Sequence, residues 1–199
     1  MERQIIYKDE SQGDVAVCKE LCDQLMRYQA SKTDAQIYKR ILGSMCFENR
    51  LLPGFHSARE RQLIVAYDGK RPVGYVFSTA ETVTKQNKNA RPQWALQIPG
   101  DTLWLYPDWL TTPAKIGDLN NLYVLPAYRG EKIGQGLMAR AMAWLRGLPD
   151  AKWLFVYIAN GNDVAAFYKR YGFAYSHEVL GGLIHAYYQR PAGAMRENG

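Results

Sequence analysis

Residues 122–138 read LYVLPAYRGEKIGQGLM, and the conformation of this stretch decides the fold. Its first part closes the run Lys115–Val124 (KIGDLNNLYV), which reads as a strand. Pro126–Ile133 reads as a polar turn. Gly134–Arg146 reads as a helix, with Leu137, Ala141 and Leu145 on one face. Glycines at 130, 134 and 136 let a ligand approach the backbone closely. The helix that follows offers unpaired N–H groups and the positive end of its dipole, which together make an anion site suited to phosphate. Arg129 and Lys132 add positive charge there.

Two nucleotide motifs compete for this turn. The P-loop pattern G-x-x-x-x-G-K-[ST] is absent from the sequence. The dinucleotide pattern G-x-G-x-x-G/A is formally met by Gly134-Gln135-Gly136-Leu137-Met138-Ala139. However, nine residues separate Val124 from Gly134, whereas that fingerprint needs its turn directly after the strand. The next apolar run, Trp153–Ile158 (WLFVYI), also ends without an acid to hold a ribose. A nicotinamide or flavin site is therefore set aside.

Working outward, Gln4–Tyr7 is a candidate first strand. Cys18, Leu21, Cys22 and Leu25 recur at helical spacing from Asp14 to about Gln29. A second helix is expected from about Asp34, with Ile37, Ile41, Leu42 and Met45 on one side and Ser31, Thr33 or Asp34 as its cap. LLPGF at 51–55 is expected to break it. Gln62–Tyr67 and Val73–Thr79 read as strands joined by a hairpin turn at 68–72. Residues 84–115 hold four prolines and three tryptophans with little periodicity, and read as a partly ordered excursion. Asp163–Tyr171 reads as a helix, and Tyr175–Leu180 with Ile184–Gln189 as a hairpin. The class is mixed α/β.

Composition bounds the rest. A chain of 199 residues with 47% apolar and 22% charged residues suits one globular domain. The net charge of +6 suits an anionic partner, whether nucleic acid, a membrane surface or a phosphate-bearing cofactor, but it is dispersed with no basic run of five, as on a solvated surface, and no nucleic-acid motif accompanies it. No run of 18 apolar residues suggests a membrane span, and MERQIIYKD has no room for a signal-peptide apolar region. Three cysteines (Cys18, Cys22, Cys46) without a CxxC read as reduced thiols of a cytoplasmic protein. Scattered histidines (His56, His177, His185) give no metal site.

Over 115–175 the chain resembles the GNAT superfamily of N-acetyltransferases. Arg129 and Gly134 match the first and last positions of its motif A, [RQ]-x-x-G-x-[GA], with Lys132 in place of the central glycine. The run Phe167-Tyr168-Lys169-Arg170-Tyr171-Gly172-Phe173 matches the F-Y-x-x-x-G-F core of motif B. The resemblance implies one α/β domain over 1–199, with an insertion at about 84–115. Its mixed, mostly antiparallel sheet would be flanked by helices, with two central strands splayed apart. It implies acetyl-CoA as cosubstrate and no metal. Amides from Arg129 through Gly130, Glu131, Lys132, Ile133 and Gly134 to Gln135 would hold the pyrophosphate. Backbone at Leu122, Tyr123 and Val124 would pair with the pantetheine arm. Asn160 and Asn162 flank the place where relatives use an Asn for that arm.

The resemblance also implies chemistry. Tyr168 matches the tyrosine that protonates the leaving thiolate. Asn120 stands where many relatives carry a glutamate base, and Asn takes no proton. Asp118, two residues earlier on the same strand face, is the alternative base, acting through a water; otherwise the amine arrives deprotonated. The acceptor is a primary amine of a small molecule or peptide. Trp104, Tyr106 and Trp109 suit an aromatic amine, and Asp101 or Asp108 a cation. Glu48, Arg50 and His56 lie where relatives shape the acceptor pocket. A homodimer is common among relatives. The competing reading, prompted by Asn120, is a CoA-binding regulatory module without catalysis.

Overall fold

The computed structural model describes residues 3–90 and 105–191. One seven-stranded sheet runs through both parts, in the order β1-β2-β3-β4-β5-β7-β6. The strands are β1 (Ile5–Asp9), β2 (Glu60–Asp68), β3 (Arg71–Val83), β4 (Ala114–Val124), β5 (Ala151–Ala159), β6 (Ala174–Val179) and β7 (Ile184–Gln189). Every neighbouring pair is antiparallel except β4 and β5. Five helices accompany them: α1 (Lys19–Lys32), α2 (Gln36–Gly43), α3 (Leu51–Ser57), α4 (Ile133–Arg146) and α5 (Ala165–Lys169).

The sheet is covered on both sides, which explains why β2 and β5 read as continuous apolar runs rather than alternating ones. Leu63 through Tyr67 are all buried, as are Leu154, Phe155 and Val156. Adjacent residues of β4 show the two layers, because neighbouring strand residues face opposite ways. A side chain at Gly117 would meet Leu145 and Leu148 of the α4 layer. Asp118 faces the other way, toward a cavity lined by Met26 and Gln29 of α1 and by Pro53 and Gly54 of α3. A smaller core of Val83, Tyr106, Leu110, Ala114, Ile116 and Phe155 continues that second face.

Several sequence expectations are corrected. LLPGF opens α3 instead of breaking a helix. Pro53 lies in the first turn, where the N–H it lacks would have no intrahelical partner and its ring meets no earlier carbonyl. Thr33 does not cap α2: it follows α1, and its hydroxyl donates to Asn160 Oδ1 at 3.0 Å. Ile37, expected in the core, is exposed. The helix expected over 163–171 shrinks to α5, because Tyr171 and Gly172 bond back only three residues and wind the chain off. Of the stretch 84–115, the middle lies outside the described residues, and its last residues already belong to β4.

Candidate functional site

The site is made by two irregularities in β4. The first is a bulge. Phe77 pairs with Asn121 but Ser78 pairs with Leu119, so Asn120 is left out of the ladder. The extra residue breaks the strict alternation, and Asp118, Asn120 and Asn121 all line the same cavity. The second is the splay. β4 and β5 pair in parallel from Lys115 with Ala151 to Leu119 with Val156, and their pairing stops there. Past that point the cavity-facing edge of β4, Asn120–Val124, has no partner strand.

Two cavities meet at this fork. The larger, about 750 Å³, lies between α1, α3, β3, β4 and the segment at Leu105 and Tyr106. The smaller, about 30 Å³, sits between the diverging strands and is lined by Leu119–Leu122, Val156–Ile158, Asn162, Val164 and Tyr168. Gln29, Asn120, Asn121 and Tyr157 line both. The phenol of Tyr168 thus flanks one side of the junction and the carboxylate of Asp118 the other.

Burial sets the proton chemistry. Desolvation, then the nearby Glu81 carboxylate, push Asp118 up to about 8, against a hydrogen bond from Tyr106 that pulls it down. Tyr106 Oη lies 2.7 Å from Glu81 Oε1 and 3.2 Å from Asp118 Oδ2. Asp118 Oδ1 and Asn121 Oδ1 are buried without a hydrogen-bond donor among the described residues. Both residues are under a tenth exposed and line the large cavity. An isolated buried acceptor costs about 1–3 kcal/mol, which makes this a place for a donor-rich ligand group. Burial raises Tyr168 above the ordinary phenol range, keeping it protonated and able to donate. Asn120 donates to Thr79 Oγ1 at 2.8 Å and to the Asp118 carbonyl at 3.2 Å.

The loop from Arg129 to Gln135 closes the far end of the fork. Gly130 has φ 87° and Lys132 φ 61°, so the backbone turns through left-handed conformation twice before α4 begins. The position where motif A carries glycine is thus one where Lys132 tolerates a strained φ of about 1–2 kcal/mol. Successive amides of such a turn point to one side and form an anion-binding concavity. The N–H groups of Ile133, Gly134 and Gln135 belong to the first helical turn and have no intrahelical acceptor. Arg129 points elsewhere: its Nε donates to Val124 O at 3.2 Å, and its guanidinium lies over the rings of Tyr28 and Tyr123. Glu131 pairs with Arg3. The third glycine, Gly136, has a packing reason, since a Cβ there would strike the hydroxyl of Tyr7.

The two asparagines divide. Asn160 donates to Gly182 O at 3.1 Å and accepts from Thr33, fastening the end of β5 to α1 and to the β6–β7 turn. Asn162 lines the small cavity. Among the aromatics, Tyr106 lines the large cavity, while Trp109 packs outside it against Trp153 and Tyr188. Trp104 and Asp101 lie outside the described residues, and Asp108 is exposed. Arg50 lines the large cavity; Glu48 pairs with Lys19, and His56 packs edge-on against Phe55. Sequence reading missed Glu81, Asn121, Gln29 and Tyr157, which no motif marks. Asp23, Cys46 and Glu48 bring ligand atoms within 4.8 Å of one another, but Asp23 already accepts from the Phe47 amide and Glu48 serves Lys19. No helix among the described residues is long and apolar enough to cross a membrane.

A profile of the acetyltransferase (GNAT) domain matches residues 59–175, from the start of β2 into β6. Among solved structures, the fold is similar to the PaiA N-acetyltransferase of Thermoplasma acidophilum in complex with coenzyme A. The TM-score is 0.60 at 15% identity, over 94% of this chain and 99% of that one. It is also similar to NAA60 of Arabidopsis thaliana in complex with a bisubstrate analogue, at TM-score 0.54 and 14% identity, over 93% and 95% of the chains. A GNAT-family acetyltransferase of Streptococcus pneumoniae gives TM-score 0.55 at 14% identity, over 94% and 99%. No curated protein sequence matches the chain significantly. With the profile spanning more than half of the sequence and the forked sheet in the same architecture as these neighbours, the chain belongs to the GNAT acetyltransferase family.

Proposed function

We propose that this protein transfers the acetyl group of acetyl-CoA to a primary amine of a small molecule or peptide by direct attack. One observation carries the reading: the two cavities meet at the β4–β5 fork, with a buried phenol on one side and a buried carboxylate on the other. The amides of residues 130–135, with Lys132, would take the pyrophosphate. The free edge of Leu122, Tyr123 and Val124 would pair with the pantetheine amides, helped by Asn162. The bulge at Asn120 presents unpaired backbone to the thioester carbonyl, where charge develops during attack.

At the junction, the amine enters from the large cavity and donates to Asp118 Oδ1 and Asn121 Oδ1. An ammonium has three donors and no acceptor, which suits two bare oxygens. Asp118 takes the proton, the nitrogen lone pair attacks the carbonyl carbon, and the C–S bond breaks. Tyr168 delivers its phenolic proton to the departing thiolate, and the nitrogen's second proton, lost as the amide forms, returns to the Tyr168 phenolate. A base whose pKa sits near working pH is efficient in this role. We read the chain as one domain in which the insertion at 84–115 supplies a wall of the acceptor cavity through Tyr106. Three free thiols and dependence on acetyl-CoA fit a cytoplasmic setting.

The regulatory alternative rests on Asn120, which holds Thr79 and the Asp118 backbone instead of acting as a base. Thiol release from acetyl-CoA with a panel of alkylamines, amino acids and peptides separates the two. Amine-dependent release is expected. Binding of CoA with no release for any amine would leave the regulatory module standing, and no binding at all would overturn both.

A further inference from the structure

We infer that Tyr106 and Glu81 form a proton exit from the acceptor cavity, linking buried Asp118 to solvent. The inference rests on the proposed function and extends it to two residues outside both family motifs. It stands on geometry. A single hydroxyl, Tyr106 Oη, is within hydrogen-bond reach of both carboxylates, at 3.2 Å from Asp118 Oδ2 and 2.7 Å from Glu81 Oε1. The three groups form a graded line: Asp118 and Tyr106 are buried, and Glu81 is exposed. All three line the large cavity. They come from three separate elements: β4, the segment after residue 104, and β3.

The need for such a path follows from the burial of Asp118. Each turnover leaves it holding the amine's proton on a residue only 6% exposed, and it must lose that proton before the next one. A half-turn of the carboxyl about Cβ–Cγ carries the protonated oxygen from the amine side to the Tyr106 side. Asp118 O–H then donates to Tyr106 Oη as the Tyr106 proton passes to Glu81 Oε1. Asp118 returns to carboxylate, Tyr106 is unchanged, and Glu81 releases one proton to water. The titratable groups facing Asp118 are Glu81 on β3, Tyr106, and Tyr157 on β5. Arg50, Arg59 and Glu60 line the same cavity from the α3–β2 side, and Lys115 pairs with Glu60.

The test uses the full chain with acetyl-CoA and the best amine, comparing wild type with Tyr106→Phe and Glu81→Gln across pH. Tyr106→Phe removes the bond that favours the Asp118 carboxylate, so the alkaline-rising limb of kcat/KM moves to higher pH. Glu81→Gln removes a repelling charge, so the limb moves to lower pH. Both lower kcat by about tenfold or more, with KM for acetyl-CoA unchanged. A small buffer base such as imidazole restores the Glu81→Gln rate in proportion to its concentration, because it replaces the exposed proton acceptor; a merely structural role would show no such rescue. Wild-type rates and limbs in both variants, or loss of activity without opposite shifts and without rescue, would overturn the relay while leaving acetyl transfer intact. A wild type that turns over no amine would overturn the function and the relay together.

Discussion

Two side chains at the fork differ in why they matter. Tyr168, a buried phenol lining the small cavity, is the proton donor in the proposed reaction. Tyr168→Phe is expected to lower kcat by about a hundredfold while acetyl-CoA affinity, read by calorimetry, stays the same; an unchanged kcat would remove the phenol from the reaction. Asp118 is placed at a cost in stability. Its folded-state value of about 8 lies above the unfolded value near about 4, so the folded chain binds the extra proton between those limits. The contribution to stability is full below about pH 4 and is lost progressively as pH rises to about 8. Asp118→Asn keeps a neutral side chain of the same shape at every pH. Thermal unfolding from pH 5 to 9 should therefore fall less steeply in the variant, with the larger gain at the alkaline end, and a parallel pair of curves would show that Asp118 titrates normally.

At the scale of elements, the β5–α5 turn is pinned by close backbone approach as well as by the side chain of Asn160. Gly161 has φ 77°, and a Cβ there would lie 2.2 Å from Lys32 O, at the end of α1. Gly161→Ala meets both the left-handed penalty of about 1–2 kcal/mol and overpacking against a carbonyl of about 1–3 kcal/mol. For a chain of this length that amounts to a fall in Tm of about 4–20 °C, measurable by calorimetry, with weaker acetyl-CoA binding as Asn162 is displaced. The order of elements was largely legible in the sequence, because β-branched runs and helical periodicity are local signals. α3 was not, because Pro53 reads as a breaker unless its place in the first turn is known. Nor was the bulge at Asn120, since a bulge depends on the register against β3 and leaves no mark within KIGDLNNLYV.

For the whole molecule, the proposed reading gives the positive balance of charge a local use in the loop before α4. Saturating acetyl-CoA at about 100 times its Kd should stabilise the chain by about 2.7 kcal/mol, seen as a rise in Tm. The rise should shrink as salt goes from 50 to 500 mM, because the Debye length contracts from more than about 10 Å to a few ångströms. A salt-independent shift would detach the cofactor from Lys132 and the helix dipole. The sequence by itself determined the strand–turn–helix at 115–146 and the family, since each is written in a short contiguous run. Only the tertiary structure decided which residues share the acceptor cavity. Asp118, Glu81 and Tyr106 lie on three separate elements: the β3–β4 register puts Glu81 opposite Ile116, two residues from Asp118, and Tyr106 Oη bridges the two carboxylates. Proximity of that kind comes from packing and strand pairing, and burial, which raises the pKa of Asp118, exists only once the chain has folded around it.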